Sequence, residues 1–435
     1  MARKDPMVRG LIALNKLAGS TVLDKFNLRK PAEQAVYHGT RSGFVAIGKA
    51  QRTFAKKKGS GTAERPADWT PSGVYDLNPT EDQQMMVDVI TEFATEVLRP
   101  ATESAESAND TSKEVLSQTA EFGLSLINIP EPLGGLSAER SAVTGVLVAE
   151  ALAYGDMGQA VACLAPGAVS TAISLWGTDE QQQTYLEAFT GDDVPHAALV
   201  VAEPRVLFDP LELQTTAKRT ADGFVLDGLK SGVVRGTEAE LFVVTADLEG
   251  TGPSMFLVEA GSAGLSVAED PSMGLRAAGL SRLKLENVTV PANALLGTTE
   301  DHREMIRLSR LAWAGLALGA AKATFEYVKD YVKTREAFGE PIAYRQAVAF
   351  TVADMAIELE GMRLVTLKAA SRADRGSDFA REAALARKLT AEYGMKIGTD
   401  GVQMLGGHGF VKEHPVERWY RDLRAIGVME GAVLV

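Results

Sequence analysis

From residue 300 to 333 the apolar positions return every three or four residues, with Leu308, Leu311, Gly315 and Leu318 on one stripe and Lys322 continuing it. That spacing predicts one long amphipathic helix. Its stretch 311–321 is the longest charge-free apolar run in this reading, closed by Arg310 and Lys322. It is well short of the ~20 residues a membrane span needs, so it reads as a buried helix. Gly339 and Pro341 end this pattern, and Val348, Val352, Met355, Leu359 and Met362 start another on one helix face. Upstream, Thr80 before Glu81 and Asp82 reads as an N-cap with an acidic first turn. Further helices are predicted over 113–122, 138–154, 159–176 and 179–189, with a turn at 130–135. Between 196 and 297 the period shortens to strands at 224–226, 241–245, 255–259 and 283–285, punctuated by Asp222-Gly223, Glu249-Gly250 and Gly252-Pro253. The chain therefore reads as mostly α with a β middle domain. Its divisions are an extension at 1–79, a helical domain at 80–195, the β domain at 196–297 and a helical bundle at 298–435.

A length of 435 residues with 46 % hydrophobic content is enough for two to four packed cores. The single cysteine, Cys163, has no partner for an internal disulfide and no spacing for a metal site. It reads as an inert buried thiol in a reducing cytoplasm, and no metal is expected. No signal-peptide pattern opens the chain. Charge is uneven. Residues 1–60 hold 13 Lys or Arg against 3 Asp or Glu, so an overall net charge of -12 leaves the other 375 residues at -22. Such an acidic body excludes nucleic acid as the expected partner. The stretches 7–18 and 44–58 both read as basic amphipathic helices, which suit either the inner face of an anionic membrane or an acidic protein surface. Residues 59–78, rich in Gly, Pro, Ser and Thr, read as a linker.

The last hundred residues carry the motifs: Arg335-Glu-Ala-Phe338-Gly-Glu-Pro-Ile with Gln346 after it, Gln403-Met-Leu-Gly406-Gly407-His-Gly, Pro415-Val-Glu-Arg-Trp-Tyr-Arg-Asp, and Glu430-Gly431. From about residue 80 onward the chain resembles the acyl-CoA dehydrogenases. The resemblance implies a helical N-terminal domain, a small β-barrel or sandwich and a C-terminal four-helix bundle. It implies FAD as cofactor, held for a neighbouring subunit by Arg335, Phe338, Gln346, Gln403, Gly406 and Gly407. It further implies Glu430 as the catalytic base, with Arg310 and Gly431 beside the substrate; Arg310 by itself reads more readily as an ion-pair partner than as a CoA contact. Its partners are then an acyl-CoA, an electron-transferring flavoprotein and other subunits in a dimer or tetramer. Abstraction of a thioester α-proton calls for a carboxylate in a water-poor pocket, and Gly431 would leave room for the substrate.

Several positions depart from that family. Where its pattern is T-E-P-x-x-G-S-D, this chain reads Ala202-Glu203-Pro204-Arg205-Val206-Leu207-Phe208-Asp209. Where the family has K-x-W-I-T, the chain has Lys230-Ser231-Gly232-Val233-Val234, and Ala432 stands where a threonine follows Glu-Gly. Flavin-facing hydroxyls and the tryptophan are thus missing. Three readings follow: an FAD-dependent acyl-CoA dehydrogenase using Glu430; a non-catalytic or half-site subunit of a hetero-oligomeric complex, with or without membrane-surface association; or a membrane-surface binding protein using residues 1–58.

Overall fold

The computed structural model describes residues 78–435 except 137, 138 and 192. The basic extension and its two amphipathic stretches therefore lie outside the described residues. Thr80 starts the first helix with a reciprocal capping box: its hydroxyl accepts the Gln83 amide while the Gln83 side chain accepts the Thr80 amide. The helix runs as α1 (Glu81–Phe93), a π turn (Ala94–Leu98) and α2 (Arg99–Ala108). After α3 (Lys113–Glu121) come α4 (Ala142–Gly155), α5 (Met157–Trp176) and α6 (Asp179–Tyr185). Ser141 and Asp156 cap α4 and α5, and a second capping box, Thr178 with Gln181, opens α6.

Helix α5 corrects the estimate of the longest apolar run, for its 20 residues carry no charge. It is long and apolar enough by composition to cross a membrane, yet 78 % of that window is buried inside the fold, as in a core helix. Cys163 lies on it, buried, and burial pushes its thiol up to about 12, so it is an inert thiol as expected.

The middle region is one sheet of eight strands: β1 (Ala197–Val200), β2 (Thr216–Arg219), β3 (Gly223–Val234), β4 (Leu241–Leu248), β5 (Gly252–Glu259), β6 (Leu265–Glu269), β7 (Leu280–Pro291) and β8 (Leu295–Leu296). The order is β6-β7-β3-β2-β4-β5-β8, with β1 parallel to β4. The edge strands β6 and β8 do not pair with each other, so the sheet is open and the expected barrel does not close. Both faces are covered. Leu199, Val243, Met255 and Leu257 point into the main helical core, while Ala198, Val200, Phe242, Val244 and Phe256 form a second core on the other side. Strand β3 carries two register shifts against β7, the second between Lys230 and Val233, where Gly232 takes φ 62°. Such bulges re-aim side chains.

The C-terminal region holds three long helices, α7 (Thr299–Thr334), α8 (Gln346–Asp374) and α9 (Ala380–Leu405), and the short α10 (Val416–Leu423). The fourth member of the expected bundle is thus a two-turn helix, and α7 also packs along α4 of the N-terminal region. Close approach of α7 and α4 depends on Gly319, where a Cβ would lie 2.1 Å from the Glu150 carbonyl. Leu308, Leu311, Gly315 and Leu318 are buried as the stripe predicts. Lys322 is instead exposed, with its ammonium 5.2 Å from the Tyr154 ring, because its cation keeps water on one side while its stem covers an aromatic face.

The three regions meet at a pair of buried acids. Asp156 caps α5 through the Gln159 amide at 2.9 Å, and Asp422 of α10 accepts the Leu275 amide of the middle region at 2.7 Å. Burial, reinforced by Asp156, pushes Asp422 up to about 7; burial also raises Asp156, against the pull of Arg418 at 3.4 Å.

Candidate active site

Residues 429–432 run between helices α7 and α9 and the end of β1. The Gly431 carbonyl accepts the Ser309 hydroxyl at 2.9 Å and the Trp313 indole N–H at 2.8 Å, both from α7. On the other side Gly431 bridges Val200, and the Ala432 amide donates to the Leu199 carbonyl at 3.1 Å. Gly431 sits at φ 76°, and a Cβ there would come within 2.4 Å of Val201 Cγ2. A side chain at this position would collide with the sheet, so the close packing requires glycine.

Glu430 is thereby held in place and is 8 % exposed. Arg310 of α7 reaches it with Nε 3.2 Å from Oε2 and Nη2 3.0 Å from Oε1. Arg387 of α9 places Nη2 2.5 Å from the Met429 carbonyl and 3.4 Å from Glu430 Oε1. The structure brings Arg310, Glu430 and Gly431 together as the motifs imply, and it assigns Arg310 to the ion pair. What differs is the setting. Glu430 stands between two guanidiniums rather than alone in an apolar pocket. Arg387 belongs to no recognised motif, and sequence reading missed it.

Around β1 and β3 two residues that match the family pattern have a structural task. Lys230, fully buried, donates to Glu203 Oε1 at 3.1 Å, to the Val201 carbonyl at 3.1 Å and to the Thr245 hydroxyl at 3.2 Å. Burial brings its ammonium down to about 8, Glu203 opposing. Burial works to raise Glu203, but Lys230 and the amides of Thr215 and Gln214 outweigh it, so the carboxyl lies below its ordinary value. Beyond this anchor the loop turns through Leu207 at φ 54°, the position of the family's glycine. This left-handed conformation is adopted without the residue that takes it cheaply. Leu207 and Val206 are exposed at 92 % and 89 %, while Phe208 packs partly on the core. Opposite, a Cβ on Gly232 would lie 3.2 Å from the Met429 sulfur. Ala202, Phe208, Val234 and Ala432 carry carbon where the family pattern has hydroxyls.

The remaining predicted residues form a separate, exposed face. Arg335 leaves α7 in extended conformation and starts a hairpin of β9 (Glu336–Ala337) and β10 (Glu340–Pro341). Phe338 and Gly339 turn it with φ 57° and 82°, the primed geometry that suits two-residue hairpins. Phe338 is 96 % exposed. Gln346 opens α8, and Gln403 lies in the last turn of α9 before Gly406 and Gly407, around which a Cβ would meet nothing within 4 Å. The Tyr331 hydroxyl and His408 Nδ1, 3.0 Å apart, bring this glycine turn against the last turn of α7. His414 stacks 5.5 Å from His408 and meets the Tyr327 hydroxyl at 2.6 Å, an aromatic cluster that no motif signalled. Arg310 and the end of α7 stand about 36 Å apart along one helix axis at 1.5 Å per residue, more than the width of a small domain. The inner acid and the outer face of one chain are therefore well separated.

Models of three domains match the chain: the acyl-CoA dehydrogenase N-terminal domain over 80–192, the middle domain over 198–288 and the C-terminal domain over 300–433. The chain belongs to the acyl-CoA dehydrogenase family. It is accordingly an oxidoreductase of the acyl-CoA dehydrogenase type, in a family that works with FAD. An acyl-CoA dehydrogenase of Bacillus subtilis is 31 % identical over 366 residues, covering 82 % of this chain and 96 % of the relative. The mitochondrial short-chain specific acyl-CoA dehydrogenase of Bos taurus is 32 % identical over 369 residues, or 81 % and 87 % of the two chains. Among solved structures, butyryl-CoA dehydrogenase from Megasphaera elsdenii superposes with a TM-score of 0.76 at 27 % identity, covering 82 % of this chain and 96 % of that one. The FAD complex of PigA superposes equally, at 25 % identity and the same coverage.

Proposed function

We propose that this acyl-CoA dehydrogenase removes the α-proton and β-hydride of an acyl-CoA thioester, with Glu430 as the base. The observation that carries the reading is a nearly buried carboxylate on a loop pinned from both sides, by Ser309 and Trp313 on α7 and by Leu199 on β1. Fixed donors around the loop leave little freedom of aim, which is what proton transfer at a stated carbon requires. Glu430 accepts the proton on a carboxylate oxygen, while Arg310 and Arg387 keep the site's charge from being negative overall as enolate character grows on the substrate.

FAD, when bound, supplies the acceptor for the hydride. The outer face fits the dinucleotide of an adjoining subunit: Gly406 and Gly407 leave an open cradle, Arg335 supplies a charged donor, Gln346 and Gln403 supply amides, and Phe338 presents an exposed ring with the Arg345 guanidinium 5.7 Å from its centroid. Homo-oligomer formation through this face is supported by exposed Phe338, Phe350, Ile357 and Phe410 beside it. An electron-transferring flavoprotein as the next acceptor is supported by one similar structure, at 32 % identity and a TM-score of 0.75, reported in work on the electron transferring flavoprotein of Acidaminococcus fermentans.

A second reading is favoured by one specific observation. Met429 lies against Gly232 and Gly431 against Val201, so apolar atoms line the region where the family's flavin ring contacts fall. In that reading the chain is a half-site subunit that lends Arg335, Gln346 and the Gln403 turn to a paralogous partner. The visible spectrum of the purified full-length protein separates the two. A flavin band with acyl-CoA oxidation that falls about 10²- to 10⁴-fold in Glu430→Gln supports the first. A colourless protein that gains a flavin band only on mixing with a second dehydrogenase-like chain overturns it.

A further inference from the structure

Arg387 stands 43 residues before Glu430 in sequence and meets it only in the folded chain. Its side chain is 13 % exposed, and one of its terminal nitrogens, Nη1, is buried with no hydrogen-bond partner. Burial draws the guanidinium below its ordinary value; Glu430 opposes that pull and Arg310 adds to it. A buried cation with a donor left over is costly to keep. Its other terminal nitrogen contacts both the Met429 carbonyl and Glu430 Oε1, at 2.5 and 3.4 Å. One group thus grips the main chain just before Glu430 and the far end of the Glu430 side chain, which restricts every torsion between them. Arg310 binds the same carboxylate from α7 and makes no contact with the Met429 carbonyl among the bonds described.

We propose that Arg387 is the positioning residue for Glu430: by holding the Met429 carbonyl and the carboxylate together it sets the direction from which the base approaches the substrate. This rests on Glu430 being the base. The groups facing Glu430 are Arg310 from α7 and Arg387 from α9, and those acting on Arg387 are Glu430 and Arg310. A neutral replacement of Arg387 removes both a grip and a favourable charge, whereas lysine restores the charge and only one contact. These two losses have separate signatures.

The test compares the FAD-loaded full-length protein with Arg387→Met and Arg387→Lys, using butyryl-CoA as probe and urea unfolding to check the fold. Arg387→Met is expected to lower kcat by about tenfold or more with KM within about threefold, because aim rather than affinity is lost. Arg387→Lys should recover only part of kcat, again with KM within about threefold of the parent. A folded Arg387→Met with parental kcat, or an Arg387→Lys with parental kcat, overturns the proposal. Should Arg387→Met fail to fold, Arg387→Lys decides alone: lowered kcat at parental KM supports it, parental kcat overturns it. An active Glu430→Gln would instead remove the reading on which this one stands, so the two failures are distinguishable.

Discussion

The loop at Glu430 and the hairpin at Phe338 bear the same family signature and are built on opposite principles. Around Glu430 the carboxylate and the Gly431 carbonyl have partners inside the chain, and the left-handed backbone of Ala432 is held by the Leu199 carbonyl. At the hairpin Phe338 has a strained backbone and almost no packing of its own. The first region is held within one chain, while the second leaves its donors and aromatic ring exposed. The lesson is that matching a motif says where a residue belongs but not whether its partner lies within the same molecule.

Substitutions break this comparison in order of size. Lys230→Met leaves buried Glu203 with Arg205, 3.5 Å away, as its remaining cation and is expected to cost about 3 kcal/mol, the low end for breaking a buried pair, read as a lowered urea midpoint. Gly431→Ala must fit a Cβ against Val201 at positive φ and should cost about 1–3 kcal/mol, with acyl-CoA oxidation falling in parallel because Glu430 moves with the loop. Arg335→Ala should leave the urea midpoint within about 0.5 kcal/mol of the parent, as expected for an exposed residue, while weakening FAD by about tenfold in equilibrium dialysis. An Arg335→Ala protein that lost stability instead would place that residue among the internally satisfied ones.

The acid pair at the three-region junction sharpens the inner side of the comparison. Asp422 in the folded chain titrates above its unfolded value, so the folded state binds more protons between the two. Stability from this group is greatest below the unfolded carboxyl value and is lost as pH rises through about 7. Asp422→Asn should therefore flatten the decline of the urea midpoint between pH 5 and 8, and an unchanged slope would show that the pair does not govern it.

The sequence disclosed the helices well, because burying one face of a long helix forces a periodic stripe, and Leu308 to Leu318 kept it. Strand β1 escaped notice because Ala197 to Val200 are buried on both faces, so no alternation marks them. Glu430 could be located from its motif, but the Arg387 contact could not: residues on α9 and the loop become neighbours only when α9 and α10 pack. Leu207 shows a third kind of gap. Its identity argued against a left-handed conformation there, yet the backbone adopts one, since the flanking Glu203 anchor fixes the loop more firmly than one residue's preference resists it.

The exposed ring at the hairpin tip has a consequence for the energetics of association. A phenylalanine in a left-handed conformation costs an isolated chain about 1–2 kcal/mol and gains almost nothing from its own packing. If a second copy covers the ring, as proposed above, part of that cost is recovered on association, and apparent melting temperature should then climb with protein concentration by mass action.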